Sequence, residues 1–223
     1  MRTLFHHPLS PTCRKVRILL GEKKLDFNLE LERIWKKRPE FLELNPSGDI
    51  PVLRDLNSTV ICESYPICEY LEEAYPNQPA FIGDNLLEKA EIRRLVVWFD
   101  HKFEQEVTRK IVFEKVFRSH FDLGHPDGRV IREGATAIDD HLTYIEWLLD
   151  HRVWLGGQHF SLADISAASH LSAIDFLGDV PWDQYLEAKD WYARIKSRPS
   201  FRPLLQDQVP GIMPPRYYED LDF

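Results

Sequence analysis

Residues 44–53 read L-N-P-S-G-D-I-P-V-L. Pro46 and Gly48 mark a turn. Pro51 then opens an apolar strand, the position at which a missing N–H does least harm. A proline placed directly after a turn is a candidate for a cis bond, because an X–Pro peptide favours trans by only about 0.5–1 kcal/mol. A cis Ile50–Pro51 bond would aim the Ile50 amide and carbonyl out of the sheet, free to pair with an extended, peptide-like ligand. Taken alone the stretch reads as a plain turn into a strand; its neighbours on both sides change that reading.

Upstream, Arg2 to Phe5 is a short β-type run ended by Pro8. Ser10 is placed to cap a helix with Pro11 at its first position. Val16, Leu19 and Leu20 fall on one face of that helix. Leu25 to Leu31 alternates, with Leu25, Phe27, Leu29 and Leu31 on one side, and predicts a second strand. A charged, exposed-looking stretch follows in which Trp35 reads either as packed on the domain edge or as a protein-contact anchor, and Pro39 opens a short helix to Leu44. Downstream, Pro51–Leu56 and Thr59–Cys62 predict a hairpin across Asn57-Ser58. Ser64 is placed to cap a third helix with Pro66 in its first turn. Residues 1–77 therefore read β-α-β-α-β-β-α, a small α/β domain whose first two strands, joined through a helix, should be parallel.

Residues 78–86, with Pro79 and Gly83, read as a linker, and residues 87–205 read as all-helical. Leu95, Phe99, Phe103, Val107 and Ile111 recur every fourth residue; Ile131, Ala135, Ile138, Leu142, Ile145 and Leu149 recur three and four apart. Both stripes predict core-facing seams of long helices, and the polar break from His120 to Gly128 makes them an antiparallel pair. Ser161 and Asp164 form a capping signal for a central helix. A further helix spans about Trp182 to Ser197, and Pro199 starts a short turn to Leu205. The tail, residues 206–223, carries Pro210, Pro214 and Pro215 and cannot be regular helix through them.

The chain has 223 residues, 43% of them hydrophobic, and a net charge of −8, which argues against a nucleic-acid partner. No apolar run approaches the ~20 residues needed to span a bilayer, and the first residues are too polar for a signal peptide. Three cysteines, Cys13, Cys62 and Cys68, make no disulfide framework. These features together predict a cytoplasmic protein with no membrane partner. The nine histidines show no metal spacing, so no metal is expected.

In this order and spacing, the motifs resemble those of the cytosolic glutathione transferases, which pair a thioredoxin-like amino-terminal domain with an all-α carboxy-terminal domain. The resemblance rests on Ser10-Pro11-x-x-Arg14-Lys15-Val16-Arg17, Asn45-Pro46-x-Gly48-x-Ile50-Pro51-Val52-Leu53, Glu63-Ser64 with Ile67 and Tyr70-Leu71-Glu72, Leu155-Gly156-Gly157, Phe160-Ser161-Leu162-Ala163-Asp164-Ile165, and Trp191 with Arg198-Pro199. It implies a homodimer, glutathione as co-substrate, and an apolar electrophile as second substrate. A narrower resemblance, carried by the start of the chain, the Trp35 segment and the Tyr218-Glu219-Asp220-Leu221-Asp222-Phe223 end, is to transferase-like proteins of alphaproteobacteria that bind the tubulin-like FtsZ. It implies a non-catalytic dimer on FtsZ filaments, with Trp35 and the acidic tail as contacts.

The family match assigns roles residue by residue. Ser10 would donate to the glutathione sulfur and stabilise the thiolate, with Thr12 in reserve; its other reading is a simple N-cap. Ile50, Pro51, Glu63, Ser64 and Lys37 would bind the tripeptide, with Ser64 also read as an N-cap at a helix end that suits an anion. Phe99, Phe103, Phe113 and Phe117 would hold the electrophile. Cys13 reads as a packed residue, or as a partner for a mixed disulfide with glutathione. Two residues depart from the pattern. Asp49 puts a negative charge where many relatives have Lys or Gln, leaving Lys36, Lys37 or Arg38 to substitute, and Pro66 removes an N–H near the anion site. The tail is read either as folding back with Tyr217, Tyr218 and Phe223 in grooves, or as reshaping the cleft, or as a partner site.

Overall fold

The computed structural model describes residues 1–221; Asp222 and Phe223, including the groove-filling role considered for Phe223, lie outside the described residues. The amino-terminal sheet has the order β2-β1-β3-β4. Strand β1 (Arg2–His6) runs parallel to β2 (Phe27–Leu31) with Leu4 opposite Leu29, and antiparallel to β3 (Val52–Arg54) with Leu4 opposite Leu53. Strand β4 (Val60–Cys62) pairs antiparallel with β3. Helices α1 (Pro11–Glu22) and α3 (Ser64–Ala74) pack on each other beside this sheet, and α2 (Pro39–Leu44) leads into the turn before Pro51.

Three local expectations are corrected. The hairpin is shorter than its apolar pattern: β3 and β4 close at Asp55, whose N–H donates to Thr59 O at 2.7 Å. The Asp55 carboxylate accepts from Tyr70 and Tyr75 Oη at 2.8 and 2.5 Å and pairs with Arg2 at 2.7 Å, and the chain turns through Leu56–Ser58. Leu29 and Leu31 do not join the core: β2 is an edge strand, and they stay 44% and 47% exposed. The cap of α3 is Glu63, not Ser64; the hairpin-to-helix corner needs a left-handed residue there, and Glu63 has φ 69°.

The second half is helical. Helix α4 (Leu86–Val97), capped by Asn85, continues through Trp98–Phe117 with the wider i→i+5 winding of a π-helix. The apolar stripe recurring every fourth residue, Leu95, Phe99, Phe103, Val107 and Ile111, is fully buried along its length. Helix α5 (Gly128–Leu149) packs along this segment. Helix α6 (Leu162–Phe176) is buried on every side, with the Ser161/Asp164 capping box at its start. Asp164 also accepts from the Leu155 N–H and from Trp191 Nε1, on α7 (Leu186–Lys196), at 2.8 and 2.9 Å.

The halves meet where α1 packs on α6. Lys15, fully buried, pairs with Asp100 of the long helix, which also accepts from Ser166 on α6. Gly21 lies where the 198–202 turn crosses α1; a Cβ there would meet Ser200 at 3.0 Å. The tail closes the same seam. Tyr218 is fully buried, edge-on to Phe176 at 5.2 Å, and its Oη accepts from Arg14 Nη1 at 3.0 Å. Arg14 also donates to Pro8 O and Ser172 Oγ, and Asp207 grips Arg17 through both oxygens at 2.7 and 2.9 Å.

Candidate functional site

The turn at residues 44–53 faces the long helix across a cleft of about 520 Å³. Ser10, Thr12, Ile50, Asp49 and Glu63 line one side; Glu104, Thr108, Arg109, Val112, Phe113, Phe117 and Phe121 line the other. The Ile50–Pro51 bond is cis. Among the described residues the Ile50 N–H has no partner, while its carbonyl accepts from Thr12 Oγ1 at 3.4 Å.

Ser10 caps α1, accepting from the Cys13 N–H at 3.4 Å, and its Oγ lies 2.9 Å from Thr12 Oγ1. With Thr12 donating to Ile50 O, the Ser10 hydroxyl donates to Thr12. The cap and the hydroxyl chain coexist, and a ligand that drew the Ser10 proton would displace one neutral hydrogen bond.

Glu63 donates its N–H to Pro51 O at 3.1 Å and accepts from Ser47 Oγ at 3.4 Å. Ser64, buried, is the first residue of α3. Pro66 has no N–H and Ile67 N–H is bound to Glu63 O, so the open donors at this helix end are the Ser64 and Tyr65 N–H groups.

Of the lysines and arginine considered near Asp49, Arg38 is engaged by Glu32 at 2.5 Å, and Lys36 and Lys37 are exposed, outside the cleft lining. The cation that lines the cleft is Arg109, its guanidinium 5.9 Å from the Phe113 ring centre. Sequence reasoning missed it; the available signal was its place between Thr108 and Val112, on the turn before Phe113. Glu104 was missed too. Burial pushes its carboxyl up, and it stands 3.5 Å from His170 Nδ1, which is 2.9 Å from Thr108 Oγ1.

The aromatic wall is corrected as well. Phe113 and Phe117 line the cleft with Phe121, but Phe99 and Phe103 are fully buried core residues behind it. Trp35 is not a free surface anchor. It is half-buried, stacked on His120 at 4.3 Å, with Phe117 and Phe121 within 6.4 Å. Cys13 is fully buried, and burial pushes its thiol up to about 11, which disfavours the thiolate that a mixed disulfide needs. Among the described residues, no group of three His, Cys, Asp or Glu side chains could hold a metal ion, and no helix is long and apolar enough to cross a membrane.

Comparison with known proteins fits this architecture. The family described as glutathione S-transferase, N-terminal domain, matches residues 4–79, and that described as glutathione S-transferase, C-terminal domain, matches residues 110–199. The chain is 48% identical over 225 aligned residues to FtsZ-localized protein A of Caulobacter vibrioides, covering 100% of this chain and 98% of that protein. It is 32% identical to glutathione S-transferase 3 of Zea mays, covering 89% and 90% of the two chains. Among solved structures, a glutathione S-transferase from Rhodospirillum rubrum superposes with a TM-score of 0.96 at 50% identity, covering 100% of both chains.

Proposed function

The chain belongs to the glutathione S-transferase family, and from that premise we propose that it acts as a cytoplasmic, homodimeric FtsZ-binding protein that keeps the transferase groove without relying on glutathione chemistry. The observation that carries this reading is the end-to-end 48% identity to FtsZ-localized protein A, which spans the tail beyond both family domains. The electrostatics of the cleft support it. Glutathione carries two carboxylates and one ammonium, a net anion, and the cleft meets it with Asp49, Glu63 and Glu104 against Arg109. The cation that would hold its glycine carboxylate is replaced by Asp49, and Lys37 stands outside the lining.

In this reading the exposed acidic face of the tail, with Glu219 and Asp220, contacts FtsZ, while Tyr218 anchors that face to the body. The test is co-sedimentation with FtsZ assembled on GTP. The wild-type protein should pellet with the filaments, and Glu219→Lys/Asp220→Lys should remain in solution with its fold intact. A double variant that pellets like wild type removes the tail from the interface; a wild-type protein that never pellets overturns the reading.

A second reading is favoured by the Ser10–Thr12–Ile50 chain and the open donors at the start of α3. Here the protein binds glutathione through Ile50, Pro51, Glu63 and Ser64 and conjugates its sulfur to an apolar electrophile held by Phe113, Phe117 and Phe121. Ser10 would lower the thiol pKa, each unit being worth about 1.4 kcal/mol. Ser10→Ala would then cut turnover with an aryl halide far more than glutathione affinity. A calorimetric titration that detects no glutathione binding ends this reading and leaves the first untouched.

A further inference from the structure

The long-helix wall of the cleft is backed by polar groups that neither reading of the cleft uses. His170 of α6 is fully buried between two carboxyl groups of that helix, Asp100 and Glu104. Its Nε2 faces Asp100 Oδ1 at 3.6 Å and makes no hydrogen bond among the described residues. Its Nδ1 lies 2.9 Å from Thr108 Oγ1 and 3.5 Å from Glu104 Oε2. Asp100 is a standing anion: burial opposes its charge, but Lys15 of α1 holds the carboxyl well below the usual range, and Ser166 Oγ donates to it. An anion on that side keeps the imidazole proton on Nε2, which leaves the Nδ1 lone pair turned to Thr108 and Glu104.

Glu104 is where this chain opens into the cleft. Its side chain is 36% exposed, against 0% for His170, and it lines the cleft with Thr108 and Arg109, opposite Asp49 and Glu63. Burial and Asp100 push its carboxyl up; His170, Arg109 and the Thr108 hydroxyl draw it part of the way down. A carboxylate of raised basicity, partly desolvated and within reach of a ligand, has the properties of a general base. Packing alone does not call for it: the Lys15–Asp100 pair closes the seam by itself, whereas Glu104 adds a carboxyl that burial penalises. A proton taken up by Glu104 can pass to Nδ1 through the Thr108 hydroxyl, and the imidazolium so formed faces the Asp100 carboxylate.

We propose that Glu104 is a catalytic base, with His170 as its positioning residue, and that the cleft enolises small ketones. The Glu104 carboxylate takes a proton from the carbon beside the carbonyl. The electron pair of that C–H bond becomes the C=C bond, the carbonyl π pair moves onto oxygen, and the Arg109 guanidinium offsets the charge that develops there. The proton passes to His170, and after exchange with solvent the same carbon takes a proton back from Glu104. Nothing is oxidised or reduced, and no co-reactant is consumed. The cleft, at about 520 Å³, is within the range of small-molecule sites. The step needs neither glutathione nor FtsZ, so it goes beyond both readings above and stands or falls apart from them.

The test is exchange of the benzylic protons of phenylacetone for deuterium in heavy water, with the intact protein and no glutathione, followed by the loss of their NMR signal. The wild-type protein should accelerate exchange, with a rate that rises as Glu104 ionises. Glu104→Gln, which keeps the side-chain shape, should lower that rate by about 100-fold or more. His170→Asn keeps an amide at the Nδ1 position; it should slow exchange about tenfold, the scale of one lost hydrogen bond to a charged group. It should also move the midpoint of the pH profile upward, because the imidazole draws the Glu104 carboxyl down. Thr108→Val removes the bridging hydroxyl without changing the side-chain shape and should act in the same direction, so the relay is read even where a change at His170 fails to fold. Exchange no faster than in buffer, a Glu104→Gln protein equal to wild type, exchange that requires added glutathione, or a folded His170→Asn or Thr108→Val protein whose profile overlays wild type would each overturn the proposal.

Discussion

Tyr218→Phe isolates what the tail contributes to the fold. The Tyr218 hydroxyl accepts from the fully buried Arg14 guanidinium at 3.0 Å and donates to Leu204 O at 3.4 Å. Phenylalanine keeps the ring against Phe176 and removes one hydrogen bond from a buried charge. Arg14 retains Pro8 O at 2.6 Å and Ser172 Oγ at 2.9 Å, so the guanidinium is weakened rather than orphaned. A hydrogen bond to a charged group contributes about 1.5–3 kcal/mol. At about 2–4 °C per kcal/mol for a chain of this size, the melting temperature should fall by roughly 3–12 °C. Tyr218→Ala also loses the packed ring, a further ~3–5 kcal/mol, which is a large part of an ordinary folding free energy of about 5–15 kcal/mol. Thermal unfolding followed by circular dichroism measures both. A Tyr218→Phe protein melting within about 1 °C of wild type would refute the clasp. The same reasoning bears on truncation: deleting residues 210–223 removes Tyr218 from the core, so lost partner binding in such a variant reports instability as much as a missing contact.

Three further outcomes follow from the buried groups and the cleft. Burial pushes the Cys13 and Cys68 thiols up to about 11 and about 12, while Cys62 is only half-buried; a thiol reagent at pH 8 should therefore label Cys62 first, and labelling of Cys13 in the folded protein would contradict its placement. His6 and His7 are each lowered by burial from 6.5 to about 4. The unfolded chain thus binds more protons than the folded one between those values, and stability falls as pH drops from about 6.5 to 4, by up to ~1.4 kcal/mol per pH unit for each histidine, with no such loss above that window. His7→Asn, whose side-chain oxygen can still accept from Leu9, should flatten the denaturation midpoint's dependence on pH; profiles parallel to wild type would contradict the assignment. Asp49→Lys reverses the wrong-signed charge in the cleft and should raise glutathione affinity about tenfold, a change of about 1.4 kcal/mol, by calorimetry; no change would mean that Asp49 is not the obstacle.

The scaffold was legible because its signals are local. Pro51 after the Pro46/Gly48 turn, Ser10 before Pro11, and the Ser161/Asp164 pair each satisfy a backbone need within a few residues, and each recurs in the structure. The site was less legible because its faces are set by what packs against them. The four-residue stripe already placed Phe99 and Phe103 on the core-facing side of the long helix; it was the role implied by the resemblance that grouped them with Phe113 and Phe117, which lie off the stripe and reach the cleft. Arg109 and Glu104 lie off the apolar stripe of the long helix, and only the opposing turn makes them cleft walls. Ser64 looked like the cap because serine is the usual capping residue. The left-handed corner placed that role on Glu63, a residue whose type gave no hint of it. Trp35 read as exposed because its sequence neighbours are charged; its packing partners, His120 and Phe121, come from the far half of the chain.

The most direct measurement is sedimentation of GTP-assembled FtsZ with wild-type protein and with Ser10→Ala, side by side. If the scaffold serves adhesion and not thiol transfer, both proteins pellet with the filaments to the same extent, with or without millimolar glutathione. Both proteins left in the supernatant, or pelleting that depends on Ser10 or on glutathione, would contradict it.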